Sequence, residues 1–383
     1  MDRLKAILWT EQAAFYPMGR MQVVNCIEHT LGKAGITKHY KIGQDQGDIR
    51  SFLRDSQEGL WVLPGNAPLI TSELFKHMKD ANEKSNKKIT YCSLGCGVGL
   101  YYINPKAQTN EMMTLFETSS NTGETIFATI QKQVSKEEIQ EIIWDQKEDL
   151  LLIDSPITLA RVSQIFRTRI HEKHMRQGVF ILDPNQVYID VDVEIGSGTI
   201  VYPGTYLQGR TTIGEKCQVG PNVRIQDSHI GNETRIEYSV MLESKVGTSS
   251  MIGPFAYIRP NSKIGSHVKI GDFVEIKNST IGDYTSAAHL TYVGDADVGQ
   301  HVNFGCGTIT VNYNGEHKYR TTIEDDAFIG CNTNLVAPVT VKQGGFIAAG
   351  STITKEVPSG ALGIARAKQE NIEHWRQKKE KKE

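Results

Sequence analysis

The sequence predicts a chain in two parts, an α/β domain followed by a parallel β-helix built from hexapeptide repeats. After Gly178, aliphatic residues recur at every sixth position, as in the unbroken run Ile195, Val201, Leu207, Ile213, Val219 and Ile225. Glycines crowd into the same half of the chain. Before Gly178, short apolar runs alternate with amphipathic segments, a pattern typical of a parallel sheet covered by helices.

A period of six excludes an amphipathic α-helix, which needs a period of 3.6. The period instead fits a coil with three flat faces, in which one aliphatic side chain points inward from each face. Two further runs keep the spacing: Val246, Ile252, Ile258, Ile264, Ile270, Ile276, and Ile329, Leu335, Val341, Ile347, Ile353. We therefore expect a left-handed parallel β-helix with eighteen residues in each coil.

Glycine often follows the inward aliphatic residue, and this position should lie near a corner of the coil. The examples are Gly196, Gly214, Gly220, Gly253, Gly265, Gly271 and Gly330. Because glycine tolerates unusual backbone angles, we expect these residues to allow the chain to turn.

The first half contains segments with recognisable strand or helix patterns. Two apolar runs predict buried strands: Leu4–Trp9 and Leu60–Pro64. Four amphipathic segments predict helices: Val24–Leu31, Leu74–Met78, a surface helix at Lys136–Ile143, and a long helix at Ile157–Arg176 that leads into the repeats.

These patterns divide the chain into an α/β domain at residues 1–177, a β-helix at 178–367 and a charged tail or helix at 368–383. The α/β domain ends with the linker helix at about 157–177. Beyond Pro358 the repeat should stop. Residues 310–321 lack the six-residue spacing and contain Asn314-Gly315, a strong turn signal, so they should form a loop extruded from the coil.

Composition excludes several classes of partner. Lys plus Arg total 42 against 44 Asp plus Glu, so no excess charge favours nucleic acid or an anionic membrane surface. No run of eighteen apolar residues and no signal-peptide pattern is present, and we expect a cytoplasmic protein without membrane insertion. Cys92 and Cys96 are four residues apart, but no second Cys or His pair completes a zinc site. No metal site is predicted.

Several motifs in the second half are far more specific than the repeat. They include Gly271-Asp272-Phe273-Val274-Glu275-Ile276-Lys277, His289-Leu290-Thr291-Tyr292-Val293-Gly294-Asp295 and Gly307-Thr308-Ile309-Thr310-Val311-Asn312-Tyr313-Asn314-Gly315. From about Gly178 to Trp375 the chain resembles the acetyltransferase half of the bifunctional N-acetylglucosamine-1-phosphate uridyltransferase/glucosamine-1-phosphate N-acetyltransferase family.

The resemblance implies that His289 is the general base for acetyl transfer. An ammonium group has no lone pair, so the substrate amine must lose a proton before it attacks a thioester. Histidine suits this task because its pKa lies near the working pH. Glu275, on the neighbouring coil, is expected to orient the imidazole and is the second candidate catalytic residue.

The same resemblance assigns Arg259, Lys277 and Lys318 to the phosphate of the sugar, which needs several charge-assisted donors. Arg259 and Lys277 are eighteen residues apart, so their side chains should start from stacked positions. Lys318 lies in the extruded loop and is expected to reach a site on another subunit. Tyr292 and Asn303 match further substrate-contacting positions.

A third group of positions matches the family's contacts with the cosubstrate acetyl-CoA: Cys306, Asn312, Tyr313, Cys331, Ala349 and Arg366. Asn312 and Tyr313 match contacts to the substrates, and Arg366 resembles the residue that meets the phosphates of the cofactor. Cys306 replaces the alanine usual in the family. Direct transfer from acetyl-CoA needs neither a cysteine nucleophile nor a metal ion.

Members of the family are homotrimers with active sites between subunits. A three-sided prism fits this arrangement, because each wall is available to a neighbour.

The first half resembles the nucleotidyltransferase domain of the family but lacks its phosphate-binding features. The family's glycine-rich loop Leu-Ala-Ala-Gly-x-Gly-Thr-x-Met is replaced by the segment 7–18, which has neither glycine and carries the acidic Glu11. Asn66 stands where the family has an aspartate metal ligand, and Gly97 where it has an asparagine. The domain is also about fifty residues short. We expect uridylyl transfer to be lost and the domain to be kept for packing, assembly or regulation.

The sequence therefore predicts N-acetylation of glucosamine 1-phosphate to N-acetylglucosamine 1-phosphate, a step in UDP-N-acetylglucosamine and cell-wall precursor synthesis. Two alternatives stay open. One keeps acetyl-CoA but changes the acceptor to another amino sugar or sugar nucleotide. The other is a non-catalytic paralogue that assembles with, or regulates, a full-length homologue.

Overall fold

The structure is a computed structural model that describes residues 5–10, 12–18, 21–42, 45, 52–53, 59–95, 98–107, 130 and 134–376. It divides into two compact units, Met1–Arg169 and Ile170–Glu383. Glu11, Cys96 and Gly97, which the sequence singled out, lie outside the described residues, as does the end of the predicted tail, 377–383.

In the described part of the first unit, six strands form one mixed sheet in the order β4-β1-β5-β7-β6-β8. The strands, with a small hairpin of β2 and β3, are β1 Lys5–Trp9, β2 Pro17–Met18, β3 Met21–Gln22, β4 Lys38–Ile42, β5 Leu60–Pro64, β6 Ile89–Gly95, β7 Val98–Ile103 and β8 Ile139–Ile142. The two predicted strands are confirmed. The expected parallel pairing holds except at β7, which runs antiparallel to both β5 and β6.

Three described helices accompany this sheet: α1 Val23–Lys33, α2 Ser72–Ser85 and α3 Pro156–Arg176. All three were predicted. Thr71 begins α2 by accepting a hydrogen bond from the Leu74 amide, and Asn86 ends it in the left-handed conformation. Short 3-10 turns lie at Gln12–Phe15, Pro105–Ala107, Lys136–Glu138 and Lys147–Leu150.

The predicted surface helix at Lys136–Ile143 is wrong. Only Lys136–Glu138 make a single 3-10 turn, and β8 then pairs in parallel with β6, with Ile139 opposite Ile89. The isoleucine spacing suits a helix as well as a strand. The strand is favoured because it pairs with the edge of β6 and buries Ile142.

The second unit is a parallel β-helix with three flat faces, which we call faces I, II and III in chain order. The left-handed β-helix predicted from the hexapeptide repeats is confirmed. The strands of face I are Phe180–Ile181, Ile200–Val201, Gln218–Val219, Arg235–Ile236, Met251–Ile252, Lys269–Asp272, Ser286–His289, Asn303–Phe304, Phe328–Ile329, Phe346–Ile347 and Leu362–Gly363. Those of face II are Tyr188–Ile189, Tyr206–Gln208, Arg224–Gln226, Val240–Leu242, Tyr257–Ile258, Glu275–Lys277, Tyr292–Gly294, Ile309–Val311, Asn334–Val336 and Thr352–Ile353. Those of face III are Glu194–Ile195, Thr212–Ile213, His229–Ile230, Lys245–Val246, Lys263–Ile264, Thr280–Ile281, Ala296–Val298, Thr321–Ile323 and Val339–Val341. A 3-10 turn at Pro184–Gln186 joins the first two faces.

The inward aliphatic side chains stack on their equivalents in the next coil and form the core. Coil length is not fixed at the predicted eighteen residues. On face III, Ile195 pairs with Ile213, Ile213 with Ile230, and Ile230 with Val246, so coils of 18, 17 and 16 residues follow one another. The corners absorb the difference, and each strand still places its aliphatic residue inside.

The glycines that follow the aliphatic residues do not serve the purpose we expected. Of the seven, only Gly220 and Gly253 have positive φ. The others lie against the backbone of the next coil: a Cβ on Gly214 would meet the Asn232 amide nitrogen at 2.6 Å. Close stacking of the coils therefore selects glycine at most of these positions, because any side chain would collide with main chain.

The repeat continues slightly beyond its predicted end at Pro358. Leu362–Gly363 adds one more strand to face I by pairing with Phe346–Ile347. Residues 364–374 have no regular structure, and a short helical turn at 375–376 is the last described segment.

Candidate functional site

His289 ends a strand on face I, and its imidazole is held by the coil that precedes it. Its Nδ1 lies 2.5 Å from Oδ1 of Asp272. Asp272 and His289 are Cα partners on adjacent strands. The hydrogen bond from His289 lowers the pKa of Asp272, so the carboxylate is ionised and can only accept. In the neutral imidazole, Nδ1 therefore carries the hydrogen, and Nε2 has the lone pair that a general base needs.

The carboxylate in contact with His289 is that of Asp272, whereas we expected Glu275 there. Oε1 of Glu275 lies 2.7 Å from a terminal guanidinium nitrogen of Arg259. The reason is the position of Glu275 on face II, whereas His289 lies on face I. A coil of seventeen residues places Asp272, and not Glu275, directly beneath the histidine.

Glu275 instead holds the charged guanidinium of Arg259 in place. The hydrogen bond from the guanidinium to Glu275 raises the pKa of Arg259, and Tyr257 lies 5.8 Å from the guanidinium carbon, measured to its ring centre. Both partners lie on face II ahead of the corner from which Arg259 projects. The guanidinium of Arg259 therefore lies over face II.

Lys277 and Lys318 are neighbours, although they are far apart in sequence. Lys318 is the main cause that lowers the pKa of Lys277, with partial desolvation adding to the shift and Asp295 opposing it. Two ammonium groups so close repel each other until an anion lies between them. With Arg259 one coil away, they form a cationic cluster of Arg259, Lys277 and Lys318.

Within this chain the side chain of Lys318 lies beside Lys277. The reason is the shape of the loop at 312–320, which folds back as a short hairpin in which Tyr313 pairs with Lys318. The Asn314 side chain closes its tip by accepting hydrogen bonds from the amides of Glu316 and His317, at 2.9 and 2.7 Å.

Arg320 anchors the base of the hairpin. Its Nε and one terminal nitrogen donate to the two carboxylate oxygens of Asp297, at 2.8 and 2.5 Å. The other terminal nitrogen donates to the carbonyl of Asn278 at 3.2 Å. Bidentate pairing of this kind fixes geometry as well as charge. The loop that carries Lys318 is therefore attached to face III of the β-helix.

Asp295 links three successive coils at the corner between faces II and III. It is buried, with 6% of its surface exposed. Asn278 donates to one carboxylate oxygen at 2.5 Å, and Asn312 donates to the other. The position of Asn312 at the start of the hairpin is thus set by a buried carboxylate.

Tyr292 lies on face II between His289 and the cationic cluster. Its hydroxyl oxygen would lie 2.3 Å from a Cβ on Gly294, so the ring extends along its own strand over Gly294. Tyr292 is also near enough to Arg259 to contribute to the raised pKa of the guanidinium.

Three of the positions expected to line the acetyl-CoA groove are stacked above His289 in one column. The Gly307 amide donates to the Leu290 carbonyl, that of Asn332 to Cys306, and that of Gly350 to Cys331. These bonds join the turns that contain His289, Cys306, Cys331 and Ala349. With strands about 4.8 Å apart, the column rises roughly 14 Å from the base.

The remaining assigned residues lie around this column. Arg366 has its Cδ 3.9 Å from where a Cβ on Gly350 would be, so it borders the far end. Asn303 is exposed on face I, three residues before Cys306 in the same coil. Tyr313 is exposed in the hairpin, and its hydroxyl donates to the Gly315 carbonyl at 2.5 Å.

Sequence reasoning missed three carboxylates that hold the assigned residues in place: Asp272, Asp295 and Asp297. A usable signal was present. Asp272 precedes His289 by seventeen residues, and Asp295 lies seventeen residues after Asn278 and seventeen before Asn312. This spacing indicates stacked positions only once it is known that these coils have seventeen residues.

In the first unit, the described part of the segment expected to replace the phosphate loop, residues 7–18, contains the end of β1, a 3-10 turn and strand β2. Ala13 and Ala14 of the turn are buried. The Asn66 side chain donates to the Ile153 carbonyl at 2.8 Å, and the Ile153 amide donates back to the Asn66 carbonyl at 2.9 Å. The Asn66 amide therefore takes part in packing.

Within the described ranges, no group of three or more His, Cys, Asp or Glu side chains is arranged to hold a metal ion. No helix in those ranges is long and apolar enough to cross a lipid bilayer.

The fold and site define a hexapeptide-repeat transferase. The family model described as "Bacterial transferase hexapeptide (six repeats)" matches residues 192–227 and 243–278. "Bifunctional protein GlmU" of Halalkalibacterium halodurans is 42% identical over 355 residues, which cover 83% of this chain and 78% of the relative. The protein of the same name from Clostridium acetobutylicum is 43% identical, over 86% of this chain and 80% of the relative. The chain belongs to the GlmU family.

Membership in this family supports an acetyl- or acyltransferase role on a substrate related to the sugar nucleotides, with an acyl-CoA as cosubstrate. Two solved structures are similar to parts of the chain. LpxA from Acinetobacter baumannii has a TM-score of 0.32 and 18% identity, over 49% of this chain and 71% of that one. A 4-diphosphocytidyl-2C-methyl-D-erythritol synthase from Anaerococcus prevotii has a TM-score of 0.32 and 11% identity, over 43% of this chain and 99% of that one.

Proposed function

We propose that the chain transfers the acetyl group of acetyl-CoA to the amine of glucosamine 1-phosphate. The observation that carries the proposal is the arrangement on the β-helix. A histidine base fixed by Asp272 lies at one edge of face II, and the cationic cluster lies toward the other edge. An acceptor with an amine and a phosphate monoester matches both groups.

In the proposed reaction, Nε2 of His289 takes a proton from the ammonium or attacking amine. The amine nitrogen attacks the thioester carbonyl carbon, the new C–N bond forms, and the C–S bond breaks. The CoA sulfur leaves as a thiolate and is protonated. The cationic cluster binds the sugar phosphate, and the column from Cys306 to Ala349 lines the acetyl-CoA groove, with Arg366 at the cofactor's phosphates.

A thiol-release assay tests this proposal. Purified protein with acetyl-CoA and glucosamine 1-phosphate should release free CoA, and His289→Ala should lower turnover by roughly two to four orders of magnitude. Turnover with another amino sugar, but not with glucosamine 1-phosphate, would reassign the acceptor. No turnover with any amino sugar would support the regulatory alternative.

We also propose a homotrimer with the active site at its subunit contacts. Tyr238, Phe255, Phe273 and Leu290 stack along the corner between faces I and II, each in the left-handed conformation and 41 to 58% exposed. An apolar stripe of this length on a prism corner is typical of a contact surface. Leu290 follows His289 directly, so a neighbour on this stripe would border the base. Light scattering coupled to size exclusion should give three times the chain mass.

The first unit is proposed to have lost uridylyl transfer. An aspartate in place of Asn66 could bind Mg²⁺ but could not donate to Ile153, and the segment 12–18 forms a 3-10 turn with buried alanines and then strand β2. Incubation with UTP, Mg²⁺ and N-acetylglucosamine 1-phosphate should therefore release no pyrophosphate. Measurable release would contradict the proposal.

A further inference from the structure

Two of the turns that build the column above His289 have nearly the same sequence and the same structure. They are Gly305-Cys306-Gly307-Thr308 and Gly330-Cys331-Asn332-Thr333. In each, the threonine hydroxyl donates to the glycine carbonyl three residues earlier, at 2.7 and 2.6 Å. In each, the residue after the cysteine has positive φ, 78° at Gly307 and 53° at Asn332. The two cysteines thus occupy equivalent positions.

The two turns also lie directly one above the other. The Asn332 amide donates to the Cys306 carbonyl at 2.7 Å, and Phe304 and Ile329, two residues before the cysteines, are Cα partners. Neighbouring strands are about 4.8 Å apart, which falls within the range of roughly 4.4 to 6.8 Å between the Cα atoms of a disulfide. Side chains from equivalent positions start out in the same direction, so the two sulfur atoms can meet.

These two thiols differ in accessibility from the other described cysteines. Cys331 is exposed and Cys306 is half-buried, whereas Cys26, Cys92 and Cys217 are buried. Burial raises the pKa of Cys92 to about 11, which removes its thiolate at neutral pH. Small oxidants therefore have access to the pair that borders the proposed acetyl-CoA groove.

We propose that Cys306 and Cys331 form a thiol pair that a small-molecule disulfide converts to an intramolecular disulfide, which blocks the acetyl-CoA groove. The Cys331 thiolate attacks one sulfur of the small disulfide, an S–S bond forms, and the other half leaves as a thiolate. The Cys306 thiolate then attacks the sulfur of Cys331 and displaces the second half. The small disulfide gains two electrons, and the protons of the two cysteines end on the two released thiols.

The functional consequence rests on the proposed acetyl transfer. Disulfide formation draws two successive turns together next to His289, where the thioester would have to lie. Groups that must be held in a reactive geometry lose rate steeply when displaced, so we expect activity to fall by about tenfold or more. Reduction of the disulfide should restore it.

The test uses the full chain and oxidised glutathione. Thiols are counted in denaturant before and after oxidation, a non-reducing digest is mapped by mass spectrometry, and CoA release is measured before and after addition of dithiothreitol. The reduced protein has six cysteines, and the oxidised form should have two fewer titratable thiols, with Cys306 linked to Cys331. Activity should be lost and recovered with the same time courses as the disulfide.

Single variants distinguish the effect of the disulfide from the effect of each cysteine alone. The oxidised form of each variant is compared with its own reduced form. Cys306→Ala removes the resolving thiol, so a mixed disulfide with glutathione should accumulate on Cys331. Cys331→Ser should block the reaction. Stable glutathione on Cys331 of the unmodified chain, or a link between other cysteines, would overturn the proposal. Thiol counts and disulfide mapping do not require catalytic turnover. A protein without acetyltransferase activity would therefore refute the proposed function, while the disulfide itself could still be tested.

Discussion

Nδ1 of His289 lies 2.5 Å from Oδ1 of Asp272, and the two residues end adjacent strands of face I. An asparagine at position 272 could present its NH₂ group to Nδ1 and favour the wrong tautomer. Asp272→Asn should therefore lower kcat by roughly one to two orders of magnitude, a part of what a general base contributes. The KM for acetyl-CoA should change little.

The matched control is Glu275→Gln, which removes a carboxylate from the same coil. This variant should change mainly the KM for the acceptor, because Glu275 holds Arg259 and not the imidazole. Steady-state kinetics over a range of pH distinguishes the two. Equal loss of kcat in both variants would mean that Glu275 also acts on the base.

Lys318 should control the protonation of Lys277. Because Lys318 lowers the pKa of Lys277, Lys318→Ala should raise that pKa toward the ordinary lysine value. NMR of the protein with isotopically methylated lysines can follow the titration of Lys277 in the variant and in the unmodified chain. Lys263, an exposed lysine on face III, serves as the reference. Binding of inorganic phosphate to the unmodified chain should shift the Lys277 titration in the same direction. An unchanged Lys277 titration in the variant would show that the two ammonium groups are not neighbours.

Asp295→Asn should loosen the hairpin that carries Lys318. The carboxylate accepts one hydrogen bond on each oxygen, from Asn278 and Asn312, and an amide offers only one acceptor. One asparagine would then face a second NH₂ group in a buried place, at a cost of about 1–3 kcal/mol. Urea unfolding measures this loss, and amide exchange at 312–320 should become faster. Exchange at 206–208 on an early coil of face II serves as the control.

Gly247→Ala should destabilise the β-helix. The added Cβ would lie 2.6 Å from the Gly265 carbonyl carbon and from the Ser266 amide nitrogen, and the coils would have to separate. Overpacking of this kind costs about 1–3 kcal/mol. Gly32→Ala in α1 is the opposite case, since nothing lies within 4 Å of its added Cβ. It should stabilise its unit by roughly 0.5–1 kcal/mol. Thermal unfolding of both variants measures whether Gly247→Ala lowers the stability and Gly32→Ala raises it.

Asn66→Asp should damage the first unit without restoring nucleotide chemistry. The carboxylate cannot donate to the Ile153 carbonyl, which would lose its partner at 2.8 Å. We expect a loss of about 1–3 kcal/mol in urea unfolding and no release of pyrophosphate from UTP. A variant with normal stability that gains uridylyl transfer would show that residue 66 alone blocked that activity.

The sequence was sufficient for the β-helix, because one aliphatic residue in six has a single structural explanation, and for the strands and helices with clear periodicity. It was insufficient where the structure of a segment depends on pairing with a distant segment. Ile139 and Ile142 suit either a helix or a strand until β6 is present as a partner. The partner of His289 was missed for a similar reason, since a coil of eighteen residues would place Gly271 beneath the histidine and only a coil of seventeen places Asp272 there.

That coil length has a consequence for how this protein can change. Coils of 16, 17 and 18 residues all occur in the same stack, so one extra residue after Lys277 would give a length that the fold already accepts. The strands would stay paired, so His289 would keep Asp272 beneath it, but the corner at Asn278 would change. Asn278 contacts Asp295 and Arg320, which hold the hairpin that carries Lys318. A lineage could thus keep the folded scaffold and the base while changing how the acceptor is bound, without altering any of the residues that bind it.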